Sequence, residues 1–254
     1  MRKALVALMI VLTSVGVPSQ RINTGNRRKA VVGCTPPSML HRWTVGTVTC
    51  SGGSPCTNGA GIDTITDTGT GSASNAEQPT SGNRPIYNTA VVGGNPVATF
   101  TAASSQSFTF HNNISDSLMT VYVVIKPTSG TWFGGGSGTG GGVQYFYNGA
   151  NQQFNSLNRT IIGTGTSSLS TASFQTIVLT YDFSSGAWAM YKCSGGSCAG
   201  DGSGTQTASF GFPINQLGGS AAAGFFSGQI AELAYNNSIS TTGIATYSQC
   251  QYGI

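Results

Sequence analysis

FFSGQIAELAYNNSISTTGIATYSQCQYGI, residues 225–254, reads as a strand, a turn and a short helix that closes the chain. The strand is Gln229–Tyr235, rich in apolar and aromatic side chains, and Asn236-Asn237 makes the turn. Ser240 suits a helix N-cap, because its hydroxyl can accept a hydrogen bond from a free N–H of the first turn. Ile239 and Ile244 stand at hydrophobic-staple spacing. Tyr247 and Cys250 fall near the face of Ile244. A terminal helix that carries a cysteine reads as a clasp.

Upstream, short β-type runs alternate with turn residues. Leu40–Thr49 reads as a first strand with Trp43 as its core anchor, and Ser51–Ser74 reads as a loop. Further strands are expected at Ile86–Val92, Val97–Thr101, Ser107–Phe110 and Leu118–Lys126. In the last, Met119, Val121, Val123 and Ile125 point to one face and Tyr122 and Val124 to the other, which predicts a strand covered on both sides. Asn148-Gly149-Ala150-Asn151 is a hairpin signal flanked by Tyr145, Tyr147 and Phe154. Ser173–Asp182 and Ala187–Lys192 form a second hairpin, and Thr207–Gly211 and Ile214–Gly218 lead into the final strand. GGGSGTGGG, residues 134–142, is a flexible loop on composition. Many short strands and almost no helix predict an all-β chain, a two-sheet antiparallel β-sandwich with a short C-terminal helix.

Three blocks carry a family resemblance. Gly228-Gln229-Ile230-Ala231-Glu232 with Tyr252-Gly253-Ile254 is similar to the closing strand and tail of laminin-G-like, concanavalin A-like jelly-roll domains. Asn75–Thr80, Arg84-Pro85-Ile86-Tyr87 and Gly94-Asn95-Pro96-Val97 with Phe100 resemble a second family block, and Phe174–Tyr191 resembles the central hairpin. Together the blocks cover most of Trp43–Ile254. The resemblance implies a lectin- or glucanase-type jelly roll over residues 38–254. It also implies that Asp67-Thr68-Gly69 is a turn whose acid caps local backbone, and that Glu232 makes a structural hydrogen bond.

Arg2-Lys3 followed by the apolar run Ala4–Val17 fits a secretory signal peptide or an N-terminal hydrophobic segment over residues 1–19. The run is shorter than the roughly 18–20 residues of a bilayer span, so no stable membrane span is expected once the leader is removed. Residues 20–37 read as a flexible arm bearing Arg27-Arg28-Lys29. Only 7% of residues are charged, and the net charge of +4 falls to +2 without Arg2 and Lys3. That balance argues against a nucleic-acid partner.

Six cysteines behind a signal-like leader favour disulfides in an oxidising compartment. Cys50 with Cys56, and Cys193 with Cys198, each flank a Gly/Ser turn, so each pair is expected to close its own loop. Cys34 and Cys250 remain to tie the arm to the closing helix. Metal–thiolate binding lacks the close knuckles and neighbouring histidines it needs, and no cofactor is expected.

Glycan hydrolysis needs two carboxylates roughly 5–10 Å apart across the bond. Seven acids are scattered here, and Asp63 and Asp67, the nearest pair, would stand ~13 Å apart on a strand. The G-x-G-x-x-G at Gly136, Gly138 and Gly141 precedes no helix and so carries no dinucleotide reading. Asn113, Asn158 and Asn236 head N-glycosylation triplets. Binding suits the composition better than catalysis. Trp132, Tyr145 and Tyr147, with Asn148 and Asn151, form the expected ligand face. The expectation is a secreted, non-catalytic, adhesin- or lectin-like module whose partner is a glycan or a cell surface. The rival is a structural subunit of an extracellular or virion (phage surface) assembly, with homo-oligomerisation left open.

Overall fold

In the computed structural model, residues 33–114, 116–134, 144–155, 161–206, 214–220 and 224–254 are described. The chain divides into two units, Met1–Gly33 and Cys34–Ile254, and every element below lies in the second. The expected leader, the basic triplet Arg27-Arg28-Lys29, the Gly run past Gly134, Asn158 and the strand expected at Thr207–Gly211 lie outside the described residues.

The strands in chain order are β1 His41–Cys50, β2 Ile62–Asp67, β3 Ala76–Glu77, β4 Ile86–Val92, β5 Asn95–Phe100 and β6 Phe108–Ile114. There follow β7 Leu118–Gly134, β8 Gln144–Tyr147, β9 Gln152–Asn155, β10 Ile161–Thr164, β11 Gln175–Asp182, β12 Ala187–Ser194 and β13 Ser197–Thr205. β14 Ile214–Leu217, β15 Gly219–Ser220, β16 Gly224–Phe225, β17 Ser227–Asn236 and the helix α1 Ile244–Tyr252 follow, and short 3-10 turns lie at Ser81–Asn83 and Ala102–Ser104.

The chain is all-β with a short terminal helix, as expected, but the strands do not part into two separate sheets. β7 pairs β17 and β11 along its first half, then β14 and β8 along its second. It thereby passes from one wall to the other without breaking the ladder. The order β7-β14-β6-β3-β2-β1-β17 returns to β7 and closes a seven-strand barrel. β5 and β4 extend it from β17, β11–β13 from the start of β7, and β8–β10 from its end. Gly130, at φ +86°, sits where β7 changes wall, and a Cβ there would run into the Phe225 carbonyl. Only glycine accepts both that backbone and that approach.

Side-chain alternation builds two hydrophobic layers. Met119, Val121, Val123 and Ile125 enter the barrel core with Trp43, Phe110, Phe133, Leu179 and Leu233. Tyr122, Val124 and Val178 face outward and are covered by Ile244, Ala245, Tyr247 and Tyr252 of α1. Burying each large apolar side chain stabilises by about 1.5–3 kcal/mol, so both faces of β7 contribute. Trp43 is the expected core anchor: its Nε1 donates to the Ser74 carbonyl at 2.6 Å and its ring stacks on Phe110.

α1 begins later than the capping pattern predicts. Its N-cap is Gly243, and Ser240 instead accepts from the Thr242 N–H at 3.3 Å. Ile239 is half exposed and makes no staple. Three disulfides join Cys34 to Cys250, Cys50 to Cys56 and Cys193 to Cys198, the pairing that spacing gave. The first ties the segment before β1 to α1.

Candidate functional site

The densest group of chemically capable side chains lies under α1. Glu232 would face inward by strict alternation from Ile230. The ladder between β17 and β7 shifts there: Ile230 faces Ile125, Glu232 faces Val124, and Ala231 is the extra residue. That bulge turns Glu232 outward, beneath the helix. Its carboxylate accepts from Arg42 Nε at 2.7 Å and Nη2 at 3.3 Å. It also accepts from the hydroxyls of Tyr122 at 2.5 Å, Tyr247 at 2.8 Å and Tyr252 at 2.5 Å. Arg42 Nη2 donates to the Tyr247 hydroxyl as well. Burial opposes the Arg42 charge, yet the Glu232 carboxylate outweighs it and holds the guanidinium above its ordinary pKa. Burial first, then Glu232, pushes the Tyr122, Tyr247 and Tyr252 hydroxyls up. Glu232 is 0% exposed. The group pins α1 to the barrel, with the carboxylate itself closed to solvent.

Other acids are engaged in the same way. Asp67 accepts from His41 Nδ1 at 2.6 Å and from the backbone N–H groups of Arg42, Gly69 and Ser74. Burial raises its pKa, but these donors outweigh burial and leave it below the usual carboxylate value. Asp201 accepts from Gln152 Nε2 at 2.6 Å and from Ser167. Asp182 binds Ser184 and Ser185 across the β11–β12 turn, which lowers its pKa to about 2. Asp116 accepts from the Tyr235 hydroxyl, and Asp63 pairs with Arg84 at 2.8 Å. Among the described residues Glu77 alone lacks such a partner, and no group of His, Cys, Asp and Glu is arranged to hold a metal.

The expected aromatic ligand face is corrected by burial. Trp132, Tyr145 and Tyr147 are 0%, 1% and 6% exposed and belong to the barrel core. The Tyr145 hydroxyl donates to Gln152 and the Tyr147 hydroxyl to the Gly149 carbonyl. Asn148 and Asn151 do reach the surface, but they shape the turn. Asn148 Oδ1 accepts from the N–H groups of Ala150 and Asn151, and Asn151 Nδ2 donates to the Gly165 carbonyl. Gln144 of β8 and Asn155 of β9 pair with each other at the positions next to the inward Tyr145–Phe154 pair.

Those two positions belong to a longer row. Cross-strand pairing runs Thr49–Thr64–Glu77–Thr109–Gln216–Gly134–Gln144–Asn155, from β1 to β9. One position along, Ile65, Ala76, Phe110, Leu217, Phe133, Tyr145 and Phe154 fill the core. The pleat therefore sends the polar row to the outer side of this wall, where Thr49, Glu77 and Thr109 are exposed, Thr64 and Gln216 half-buried, and Gln144 and Asn155 covered at 3% and 6% exposure. Among the described residues Gln216 Oε1 and Asn155 Oδ1 are buried acceptors without a partner, as is Asn215 Oδ1, next to Gln216 in the chain. An orphan buried acceptor costs about 1–3 kcal/mol. Each polar residue was visible in the sequence beside an apolar neighbour. Their alignment across strands was not.

A recess lies over β5, β17 and the first part of β7. It is a pocket of about 330 Å³ lined by Thr99, Phe100, Thr101, Lys126, Thr128, Ser227, Gly228 and Gln229. Gln229 Nε2 donates to Thr99 Oγ1 at 3.2 Å, and Thr99 donates to Asn88 Oδ1 at 2.6 Å.

No family model matches this sequence, and no curated protein sequence matches it. Solved structures share its fold. Domain 4 of AbnA, a GH43 extracellular arabinanase from Geobacillus stearothermophilus solved in complex with arabinotriose, superposes with a TM-score of 0.55 at 17% identity. That match covers 84% of this chain and 98% of that one. A mutant GH54 α-L-arabinofuranosidase soaked with 4-nitrophenyl α-L-arabinofuranoside gives 0.55 at 12% identity, over 85% of this chain and 59% of that one. The botulinum neurotoxin type G receptor binding domain gives 0.50 at 10% identity, over 84% of this chain and 51% of that one. At these identities the likeness is one of fold.

Proposed function

We propose that this chain is a non-catalytic carbohydrate-binding module that holds a glycan along the polar row of β2, β3, β6, β14, β8 and β9. The observation that carries the reading is the register row, which aligns the exposed Thr109 and half-buried Thr64 hydroxyls with the amides of Gln216 and Asn155, whose oxygens have no partner among the described residues. Sugars present many hydroxyl donors, and a donor at these oxygens removes the cost of leaving them unpaired. Six of the seven carboxylates are bound up in structure, and Glu77 has no second acid for hydrolysis to use. The arabinotriose-bound domain, which this chain matches over nearly all of that domain's length, supports the same reading. Three disulfides support an extracellular setting. On this view the barrel is a lectin-type jelly roll whose long strand joins its two faces.

Titration calorimetry with arabinotriose and a panel of neutral oligosaccharides tests the proposal. The wild-type chain should bind at least one, and Gln216→Ala with Asn155→Ala should weaken it about tenfold or more. The same variants should keep or raise the melting temperature, because they delete orphan acceptors. A wild-type chain that binds no neutral saccharide, or variants that bind as tightly as wild type, would overturn it.

A further inference from the structure

We infer that the pocket beside Lys126 is a second, separate ligand site, and that it takes the anionic group of an acidic saccharide, a carboxylate or a sulfate ester. Four Lys and Arg side chains lie among the described residues. Arg42 is paired with Glu232, Arg84 with Asp63, and the Lys192 ammonium donates to the Ser168 carbonyl at 2.7 Å. Lys126 alone has no partner among the described residues, and it lines a pocket.

No acid lines this pocket, so nothing within it neutralises the ammonium. Thr99, Gln229 and Lys126 follow one another across β5, β17 and β7 in register, which sets the three side chains on one side of the wall. The Gln229–Thr99–Asn88 hydrogen bonds hold the amide in place before any ligand arrives. Ser227 Oγ is likewise fixed, accepting from the Ala102 N–H at 3.0 Å. These groups are set to bond hydroxyls around a single charged contact. A volume of about 330 Å³ stands at the small end of the ~300–1,000 Å³ usual for ligand pockets, which suits one sugar unit. A free inorganic anion would leave the amide and hydroxyls unused. The anion preference stands on the pocket's own residues; its assignment to a sugar rests on the carbohydrate-binding reading above.

The test compares a uronate oligosaccharide, a sulfated oligosaccharide, their neutral counterpart and inorganic sulfate on the full chain. At least one acidic saccharide should bind, and Lys126→Met, which keeps the aliphatic stem, should weaken it about ten- to hundredfold. Binding should also fall as salt is raised. Gln229→Ala should weaken the acidic ligand without touching neutral ligands at the polar row. Conversely, Gln216→Ala should leave the acidic ligand unchanged, so failure of one site is read apart from failure of the other. Three results would overturn the inference: no acidic saccharide bound by wild type, Lys126→Met binding as wild type does, or sulfate binding as tightly as the saccharides.

Discussion

Glu232→Ala tests whether the acid, the arginine and the three tyrosines under α1 hold the fold together. The substitution removes the acceptor of five hydrogen bonds, two from Arg42 and one each from Tyr122, Tyr247 and Tyr252. It leaves the Arg42 guanidinium partly buried beside three hydroxyls. Removing one partner of a buried ion pair costs about 3–5 kcal/mol. The tyrosine bonds would each be worth ~1.5–3 kcal/mol alone, but they share one acceptor and do not add. A loss of about 4 kcal/mol is therefore expected, a large part of the ~5–15 kcal/mol typical of a domain. Glu232→Gln keeps the shape and one carbonyl acceptor, so it should lose less. Arg42→Met combined with Glu232→Leu removes both charges and should recover part of the loss. Urea denaturation with the disulfides intact, followed by circular dichroism, gives the three values. Any saccharide affinity per folded molecule should not change, because Glu232 is buried and lies on neither the polar row nor the Lys126 pocket. A loss under about 1 kcal/mol for Glu232→Ala, the size of an ordinary substitution, would refute the clasp.

Two further outcomes concern pH and the cross-link. Asp67 is held below its ordinary pKa, so its contribution is present above pH ~3.9 and is lost as pH falls through the lower folded value. The tyrosines under α1 are held above theirs, so their contribution is present below pH ~10 and is lost as pH rises past it. Melting temperature measured from pH 2 to 11 should fall at both ends, and Asp67→Asn should flatten the acid limb. Cys34→Ser with Cys250→Ser opens a bridge between residues 216 apart. It should cost on the order of 5 kcal/mol in the chain-entropy model, with faster hydrogen exchange over α1.

Much of the fold was legible because period-2 patterning is a local signal. β1, β4, β11 and β12 lie close to where the sequence put them, and the two-faced burial of Leu118–Ile125 was readable from its residues alone. β2 and β13 were missed, since IDTITD and SCAGDGSGT look like loops. Pairing with β1 and β12, not intrinsic preference, makes them strands. The two-sheet expectation holds only in part because of β7, whose second half, PTSGTWFG, lies past the strand expected at Leu118–Lys126 and continues through Gly130 into the other wall. The ligand face failed for a related reason. An aromatic on a short strand is as ready to pack as to bind, and here alternation sends Trp132, Tyr145 and Tyr147 inward. The amides beside them were plain in the sequence. Their assembly into one row depends on the register of eight strands, which no local pattern encodes.

The placement of charge separates holding the fold from holding a ligand. Glu232 and Arg42 are joined beneath the helix, Asp67 is surrounded by donors from β1 and from the loop after it, and Asp201 by donors from β9 and the Thr166-Ser167 bend. Buried acids of this kind fix backbone, because a carboxylate accepts several N–H bonds that a neutral residue could not. With the acids so used, the polar row is left with hydroxyls and amides, apart from Glu77. Such groups bond sugar hydroxyls without the desolvation cost of a buried charge. Lys126 is the exception, a charge with no structural partner among the described residues, lining a pocket that no acid lines. A residue that contributes nothing to the fold by pairing can be removed without harming it. That is why Lys126→Met and Glu232→Ala should act in opposite ways, the first on binding alone and the second on stability alone.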